Sequence, residues 1–300
     1  MVKLAVKILI SGILLFLILN RVNLNQLKQM ILKIGVWEFL ALSLLYILAQ
    51  AISSLRWSWV IESLGKRVSP LLLFKLYLMG MFANLFLPST IGGDTIKGYI
   101  VSKSIGVRRA VSSIFLERYN GLLALLLLSL VSSLLFIKLF GLKVVLTIVA
   151  INILALLSLY MLRFVKHEKI RNFYADIKAF HKSKRFIPVT ALSFVVQIIN
   201  IVIYILAGER LGLHIELAYY FAFIPIITLI SFLPISFNGI GVREFSFVYF
   251  FKMANLTPTQ SLSLSLTVFF VVVFTSLFGG VFYINNERII REAKSFRTGT

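Results

Sequence analysis

The chain contains no cysteine and few charged residues, and both shortages limit what it can be. Without cysteine, a disulfide framework, thiol chemistry and a zinc–thiolate site are excluded. Charged residues make up 14% of the chain and hydrophobic residues 59%, against about 25% and 45–50% in soluble domains. A soluble fold could not bury this much apolar surface, so the composition predicts a protein surrounded by lipid. The apolar runs are continuous rather than alternating, which excludes an outer-membrane barrel.

Acidic residues are the scarcer charge, with 11 aspartates and glutamates against 31 lysines and arginines and a formal net charge of +20. In a soluble chain this excess would suggest nucleic acid as a partner. Here the basic residues lie mostly between apolar runs, which is the positive-inside pattern of membrane proteins, so no nucleic-acid partner is predicted. Placing segments 97–109, 163–187 and the C-terminal tail in the cytoplasm predicts a multi-pass protein of the cell membrane with both termini inside.

Apolar runs of the length that a membrane helix needs, about 20 residues, recur along the whole chain. They predict an all-α, polytopic integral membrane helical bundle of roughly eight spans, built as a single domain over residues 1–300. Residues 20–23 lack a small-residue cleavage site, so the first run is predicted to be an uncleaved helix. The runs are 4–20, 36–60, 70–87, 110–137, 144–162, 188–207, 218–233, 245–253 and 261–284, with a short amphipathic stretch at 24–34.

Two similar segments interrupt these runs. Residues 86–97 read FLPSTIGGDTIK, and residues 232–244 read FLPISFNGIGVRE. Pro88 and Pro234 each lack a backbone donor, and the glycines that follow permit non-helical angles, so a helix break is predicted at both places. Unwound backbone cannot face lipid and must be buried in protein or line a wet cavity.

If the basic segments are cytoplasmic, the two broken helices enter the membrane from opposite faces. Paired interrupted helices in opposite orientation are typical of inverted-repeat transporters, which hold the substrate between the repeats. Helix N-termini near positions 94 and 242 would suit an anion such as phosphate. The predicted halves are 1–162, with a broken helix at 70–103, and 188–300, with a broken helix at 218–253, joined by the basic amphipathic linker 163–187.

A simpler alternative is a pair of helix–loop–helix turns at the membrane surface. Asp94 would then be an N-cap and Glu244 a capping-box acid. The duplication of the motif and the charges within apolar surroundings favour the intramembrane interpretation.

Glu117 and Arg118 lie about two turns into the run 110–137, where a charge costs roughly 2.5–3.5 kcal/mol at mid-bilayer. Neighbouring side chains on a helix point about 100° apart, so partners on other helices are predicted, Arg243 for Glu117 and Asp94 or Glu244 for Arg118. The arginines would bind an anionic head group. Alternatively, the charges form a buried ion-pair network that only locks helices together. The predicted head-group residues are Arg118, Arg243, Lys97, Gly92, Gly93, Asn238, Gly239 and Gly241, with Asp94, Glu117 and Glu244 as supporting or proton-coupling acids.

Other polar residues are given structural interpretations. Arg56, beside two tryptophans, is predicted to snorkel to the membrane interface. Asn84, Gln197 and Asn200 are interpreted as hydrogen-bonding links between helices rather than as ligands. The segment 163–187 is predicted to form a basic helix on an anionic leaflet, or to act only as a topology signal.

The histidines give no sign of a metal site. His167, His181 and His214 fall in predicted loops without ligand spacing, so neither a metal nor a cofactor is predicted.

Three motifs in this order carry a family resemblance: FLPSTIGGDTIKGY (86–99), IFLERYNGL (114–122) and FLPISFNGIGVRE (232–244). They resemble the flippase-type transmembrane family of lysylphosphatidylglycerol synthases, enzymes that aminoacylate a phospholipid and move it across the bilayer. The resemblance covers nearly the whole chain and implies a multi-helix membrane protein associated with lipid translocation. In those enzymes aminoacylation resides in a soluble domain after the membrane part. This chain ends about 16 residues after its last predicted span, so that domain is expected to be absent.

The sequence therefore predicts a lipid flippase or transporter, not an enzyme, that moves an anionic or lipid-linked substrate between leaflets. Two alternatives stay open. One is a membrane enzyme acting on a polyprenyl-phosphate or phospholipid substrate, with Asp94 or Glu117 as base. The other is a non-catalytic partner that recruits a soluble synthase through 163–187. The predicted partners are a membrane phospholipid or lipid-linked substrate, the anionic leaflet and a second copy of the chain.

Overall fold

The computed structural model describes residues 2–87, 90–161, 168–233 and 235–296, and the regular elements within them are helices. The predicted all-α, polytopic membrane protein is confirmed. The helices are α1 (Val2–Leu19), α2 (Leu24–Ile31), α3 (Val36–Ser63), α4 (Pro70–Phe86), α5 (Thr90–Ile105), α6 (Val107–Leu135), α7 (Ile137–Met161), α8 (Glu168–Lys182), α9 (Phe186–Arg210), α10 (Leu217–Phe232), α11 (Val242–Phe251), α12 (Pro258–Leu277), α13 (Gly279–Ile284) and α14 (Asn286–Ser295).

Among the described residues, five helical stretches are long and apolar enough to cross a bilayer: α3, α6, the first part of α7, α9, and α12 together with α13. The pair α1 and α2, bent by 95°, adds a sixth when it is counted as one span. The apolar helices α4 and α10 have only 17 and 16 residues, and each stops next to a predicted break. With α4 and α10 counted as the two broken helices rather than as full crossings, the total is the roughly eight that the hydropathy predicts.

Helix structure is interrupted at both predicted places. α4 ends at Phe86, the next residue Leu87 is extended, and α5 begins at Thr90. α10 ends at Phe232 and α11 begins at Val242. Pro88 and Pro234 themselves lie outside the described residues. The predicted start of a helix near 242 is confirmed, whereas the predicted start near 94 is wrong, because α5 begins a full turn earlier and Asp94 lies inside it rather than at its N-cap.

Contacts between helix ends define two ends of the bundle. At one end, which we call the basic end, the last turn of α3 meets the residue before α9 through Glu62 and Arg185, 2.7 Å apart. The end of α5 also meets α14 there, since the Ser104 hydroxyl donates to the Ala293 carbonyl at 2.5 Å. At the opposite end, the Asn23 N–H donates to Thr259 Oγ1 at 3.2 Å, which joins the start of α2 to the start of α12.

This arrangement gives the two broken helices opposite directions. The hairpin α4–α5 begins and ends at the basic end, because Lys75 near its start also contacts α14, with Lys75 Nζ 2.8 Å from Glu292 Oε2. α9 runs from the basic end to the opposite end, so the hairpin α10–α11 that follows it begins and ends at the opposite end. The orientation expected of an inverted repeat is therefore present, and the repeat relation between the halves stays a prediction.

Besides a small cluster of Ile18, Leu27 and Leu262, the apolar core has two large parts with a polar region between them. One part lies at the basic end around Trp57, Leu76 and Phe180. The other lies at the opposite end around Phe223 and Phe251. Charged and polar residues midway along α3, α5, α6 and α9 lie between these two cores, which is where the helix breaks also meet.

α8 differs from the sequence-based interpretation of 163–187. Phe180 is fully buried in the core, and the rings of Phe173 and Phe115 are 4.2 Å apart, so the described apolar face of α8 packs on the bundle. His181, predicted in a loop, lies in the last turn of this helix. Contact of the basic face of α8 with an anionic leaflet stays a prediction.

The hairpin α4–α5 depends on close helix packing at two glycines. A Cβ on Gly93 would lie 2.2 Å from the Gly80 carbonyl oxygen and 2.8 Å from Asn84 Oδ1. The glycines therefore allow the backbones of α4 and α5 to approach, which is a common use of small residues between membrane helices.

We expect Gly93→Ala to force α4 and α5 apart and to lower stability by about 1–3 kcal/mol, the range for overpacking. The apparent Tm in detergent micelles, followed by tryptophan fluorescence, should fall by several degrees. Gly12→Ala is the control, since a Cβ on Gly12 has no neighbour within 4 Å. Equal Tm values for the two variants would contradict the packing role of Gly93.

Candidate functional site

A cavity of about 640 Å³ lies between the two apolar cores. Its wall is formed by α3, α4, α5, α6, α9, α10, α11, α12 and the segment between α10 and α11. The structure brings six of the predicted site residues to this wall: Asp94, Lys97, Glu117, Arg118, Asn238 and Arg243. The other five predicted residues, Gly92, Gly93, Gly239, Gly241 and Glu244, lie beside it rather than on it.

The two helix breaks meet at this cavity through one side chain. The Asn238 amide nitrogen donates to the carbonyls of Asn84 at 2.6 Å and Leu87 at 2.9 Å. In a continuous helix the Asn84 carbonyl would accept from the N–H four residues later, and that residue is a proline without an N–H. Asn238, which lies in the second break, thus donates the hydrogen bond that Pro88 in the first break cannot donate.

Positive backbone angles shape the second break. Asn238, Gly239 and Gly241 have φ values of 51°, 78° and 83°, a region that glycine and asparagine tolerate best. The Gly241 N–H donates to Glu244 Oε2 at 2.7 Å, so Glu244 caps the start of α11 as the alternative interpretation predicted. The glycines act here through backbone conformation.

A buried ion pair joins α3 to α6. Arg56 pairs with Glu117, with side-chain exposures of 6% and 8%, and its Nη1 also donates to Ser193 Oγ at 3.1 Å. The prediction that Arg56 snorkels to the interface is therefore wrong, as is the prediction that Glu117 pairs with Arg243. The neighbouring Trp57 is also buried and donates to Ser113 Oγ at 3.1 Å, so this tryptophan marks the core rather than the interface.

A carboxylate shared by two cations joins α5 to α6. Asp94 pairs with Arg118, as predicted, and its other oxygen is 2.9 Å from Lys97 Nζ. The Lys97 ammonium lies 4.3 Å from the centre of the Tyr77 ring, so it is held by a carboxylate and an aromatic face together. Arg118 is the more accessible cation, with 39% of its side chain exposed.

The fourth cation, Arg243, pairs with its chain neighbour Glu244. This pairing is possible because Glu244 reaches back toward Gly241 at the helix start. The Arg243 guanidinium also lies 4.5 Å from the centre of the Phe269 ring. Arg243 therefore belongs to the second break, and Glu117 is left to Arg56.

The charges around the cavity do not cancel. The four cations Arg56, Lys97, Arg118 and Arg243 face the three carboxylates Asp94, Glu117 and Glu244. The sum, four minus three, leaves one positive charge in a region walled by apolar helices. Such a cavity favours an anion, because a low-dielectric wall strengthens the field of an unbalanced charge.

Sequence reasoning missed an uncharged polar wall on the same cavity. α3 contributes Tyr46, Gln50 and Ser53, and α9 contributes Gln197, Asn200 and Tyr204. The signal was present, because polar residues three or four apart lie on one face of a helix. The interpretation of Asn200 as an interhelical link is wrong, since its amide donates to the Val196 carbonyl of its own helix at 3.0 Å.

At the basic end, α8 lies against two residues of the cavity wall. The Tyr119 hydroxyl is 3.1 Å from His181 Nε2, and Phe115 contacts Phe173. Asp176 of α8 also accepts a hydrogen bond from Ser112 of α6 at 2.6 Å. The position of α8 is therefore coupled to the shape of the cavity on this side.

We expect Glu117→Gln to destabilise the protein by about 3–5 kcal/mol, because it leaves Arg56 buried without a counter-charge. The double change Arg56→Gln with Glu117→Gln should restore much of this loss. Denaturant unfolding in mixed micelles measures both. Glu287→Gln is the control, since the pair Arg291–Glu287 is exposed by 80% and 85% and such pairs contribute little. A double variant no more stable than Glu117→Gln would count against the pair.

The sequence also matches a known protein family and one curated protein. Residues 4–280 match the family described as lysylphosphatidylglycerol synthase TM region. The chain is 25% identical over 233 residues to UPF0104 membrane protein MJ1078 of Methanocaldococcus jannaschii, covering 72% of this chain and 99% of that protein. No solved structure matches the chain. Because the family match spans most of its length, this multi-pass membrane protein belongs to the family of the lysylphosphatidylglycerol synthase TM region.

Proposed function

We propose that the protein is a transporter that moves an anionic or lipid-linked substrate between the leaflets of the bilayer. The observation that carries this proposal is the cavity between two oppositely directed helix breaks, with one excess positive charge. A phosphate-bearing head group would occupy the cavity while its chains stay in lipid. Motion of the two hairpins against each other would open the cavity to one leaflet and then to the other.

The ion pairs support a division of roles among the four cations. If Arg118 turns to a phosphate, Asp94 keeps Lys97 as its partner. If Arg243 turns to a phosphate, Glu244 keeps the Gly241 N–H. The Arg56–Glu117 pair has no such substitute and is proposed to be structural. Arg118 and Arg243 are therefore the proposed head-group ligands, because Asp94 would keep a cation and Glu244 would keep a backbone hydrogen bond.

The ion pairs of Asp94 and Glu117 also favour a transporter over a membrane enzyme. A membrane enzyme would need Asp94 or Glu117 as a base, and each of these carboxylates is engaged by at least one cation. A carboxylate held in an ion pair is a weaker base than a solvated one.

We expect Arg118→Gln to reduce transport of a labelled anionic phospholipid in proteoliposomes about tenfold or more, because charge-assisted hydrogen bonds contribute about 1.5–3 kcal/mol each. Arg109→Gln is the matched control, since Arg109 is exposed near the start of the same helix. Dithionite bleaches fluorescent lipid only in the outer leaflet. The measurement is therefore the rate at which lipid from the inner leaflet becomes accessible to dithionite. Transport equal to empty liposomes, or equal rates for the wild type and Arg118→Gln, would reject the proposal.

We also propose that the basic end faces the cytoplasm. The loop before α4 carries Lys66 and Arg67, the loop before α9 carries Lys184 and Arg185, and α8 presents exposed Lys178 and Lys182. Short basic segments of this kind are retained on the cytoplasmic side. Both termini would then be cytoplasmic.

Because the chain has no cysteine, single cysteines can test this orientation on a clean background. Lys184→Cys lies at the basic end, and Lys138→Cys lies in the first turn of α7 at the opposite end. A membrane-impermeant maleimide added to intact cells should label Lys138→Cys and should label Lys184→Cys only after the cells are opened. The reverse pattern would show that the basic end faces outward.

A further inference from the structure

The cavity has an uncharged part that the ion pairs do not use. The side-chain amides of Gln50 and Gln197 line it and have no hydrogen-bond partner among the residues that the structure describes. The hydroxyls of Tyr46 and Tyr204 likewise have no hydrogen-bond partner there, and both residues line the same cavity as Arg243. All four side chains are half-buried, so their polar atoms are open to the cavity. Polar groups that converge on a cavity wall fix the orientation of a polar occupant.

These groups form a track along two antiparallel helices. On α3, Tyr46 and Arg56 are ten residues apart, about 15 Å at 1.5 Å per residue. α9 runs the other way, and its Ser193 lies at the level of Arg56 because the two side chains are 3.1 Å apart. Gln197 and Tyr204 follow Ser193 toward the opposite end. The uncharged wall therefore extends from the Arg56–Glu117 pair to the neighbourhood of Arg243.

The charges constrain what the occupant can carry. Each of the three carboxylates at the cavity already has a cation, and Asp94 has two. An ammonium group on the head group would find no unoccupied carboxylate among the described residues and would meet an excess positive charge. Hydroxyl groups, by contrast, can donate to and accept from amides and phenols.

We propose that the head group is a monoanionic phosphodiester that ends in uncharged hydroxyl groups, as in a glycerol, polyol or sugar phosphate, rather than in an amine. Arg118 or Arg243 would bind the phosphate, and Gln50, Gln197, Tyr46 and Tyr204 would bind the hydroxyls. This assignment rests on the proposed transport function and adds the chemical class of its substrate.

Three phospholipids with the same acyl chains can separate the effect of head-group charge on the transport rate from the effect of head-group hydroxyls. Phosphatidylglycerol is an anion with two hydroxyls, phosphatidylmethanol is an anion with none, and phosphatidylethanolamine carries an ammonium. Fluorescent forms of each would be placed in phosphatidylcholine proteoliposomes with the wild-type protein. We expect phosphatidylglycerol to move about 3- to 10-fold faster than phosphatidylmethanol, the gain from one or two hydrogen bonds, and phosphatidylethanolamine to move slowest.

Two variants locate the preference. Gln50→Leu and Gln197→Leu should each lower the ratio of the phosphatidylglycerol rate to the phosphatidylmethanol rate toward one. Gln29→Leu, an exposed amide on α2, is the control and should change neither rate. The assignment would be overturned if the wild-type protein moved phosphatidylglycerol and phosphatidylmethanol equally fast, or moved phosphatidylethanolamine as fast as phosphatidylglycerol. These comparisons use the wild-type protein and so do not depend on whether a variant folds. Either result would leave the transport proposal intact.

If no lipid moves faster than in empty liposomes, the transport proposal fails. The class of head group is then tested by measuring which lipid the protein binds. Native mass spectrometry of the detergent-solubilised protein with the same three lipids would then measure relative occupancy. Preferential binding of phosphatidylglycerol, lost in Gln50→Leu and retained in Gln29→Leu, would support the assignment. Equal binding of phosphatidylglycerol and phosphatidylmethanol would overturn it.

Discussion

The need to satisfy backbone groups inside a membrane governs this structure. A helix that stops within the bilayer leaves carbonyls without donors, and lipid cannot replace them. Asn238 meets this need by donating to Asn84 and Leu87 across the cavity. The first break therefore depends on a residue of the second, and the two hairpins reach this point from different ends of the bundle. The meeting of the two breaks therefore sets the arrangement of the helices around them.

The same requirement applies to charge, and the structure meets it in two ways. Arg56 and Glu117 neutralise each other between α3 and α6, with Ser193 as a further partner. Asp94 instead holds both Lys97 and Arg118. An exclusive pair ties helices together, because breaking it leaves a buried charge. A shared carboxylate allows one cation to move while the other stays, so this arrangement suits Arg118 to binding and release of an anion.

Much of this plan can be predicted from the sequence, because it depends on local composition. Apolar runs locate the helices, and the Phe-Leu-Pro motifs with their glycines locate the breaks. The Arg118–Asp94 contact is predictable, since a charge in an apolar run needs a partner and few candidates exist. Arg56 is not predictable in this way, because flanking tryptophans occur both at membrane interfaces and in buried cores. The partner of Glu117 depends on which helices are neighbours, and that order is a tertiary property.

α8 also differs from its prediction, because its apolar face packs on the bundle instead of lying free for a membrane surface. Its basic composition suits the positive-inside pattern, and on sequence alone its apolar face suits a membrane surface equally well. In the fold, Phe180 and Phe173 are taken up by the bundle, while Lys178 and Lys182 stay exposed. The apolar face therefore fixes α8 against α6 at Tyr119 and Phe115, two residues of the cavity wall. α8 thus joins two surfaces, because its lysines face outward while its other face contacts two α6 residues that line the cavity.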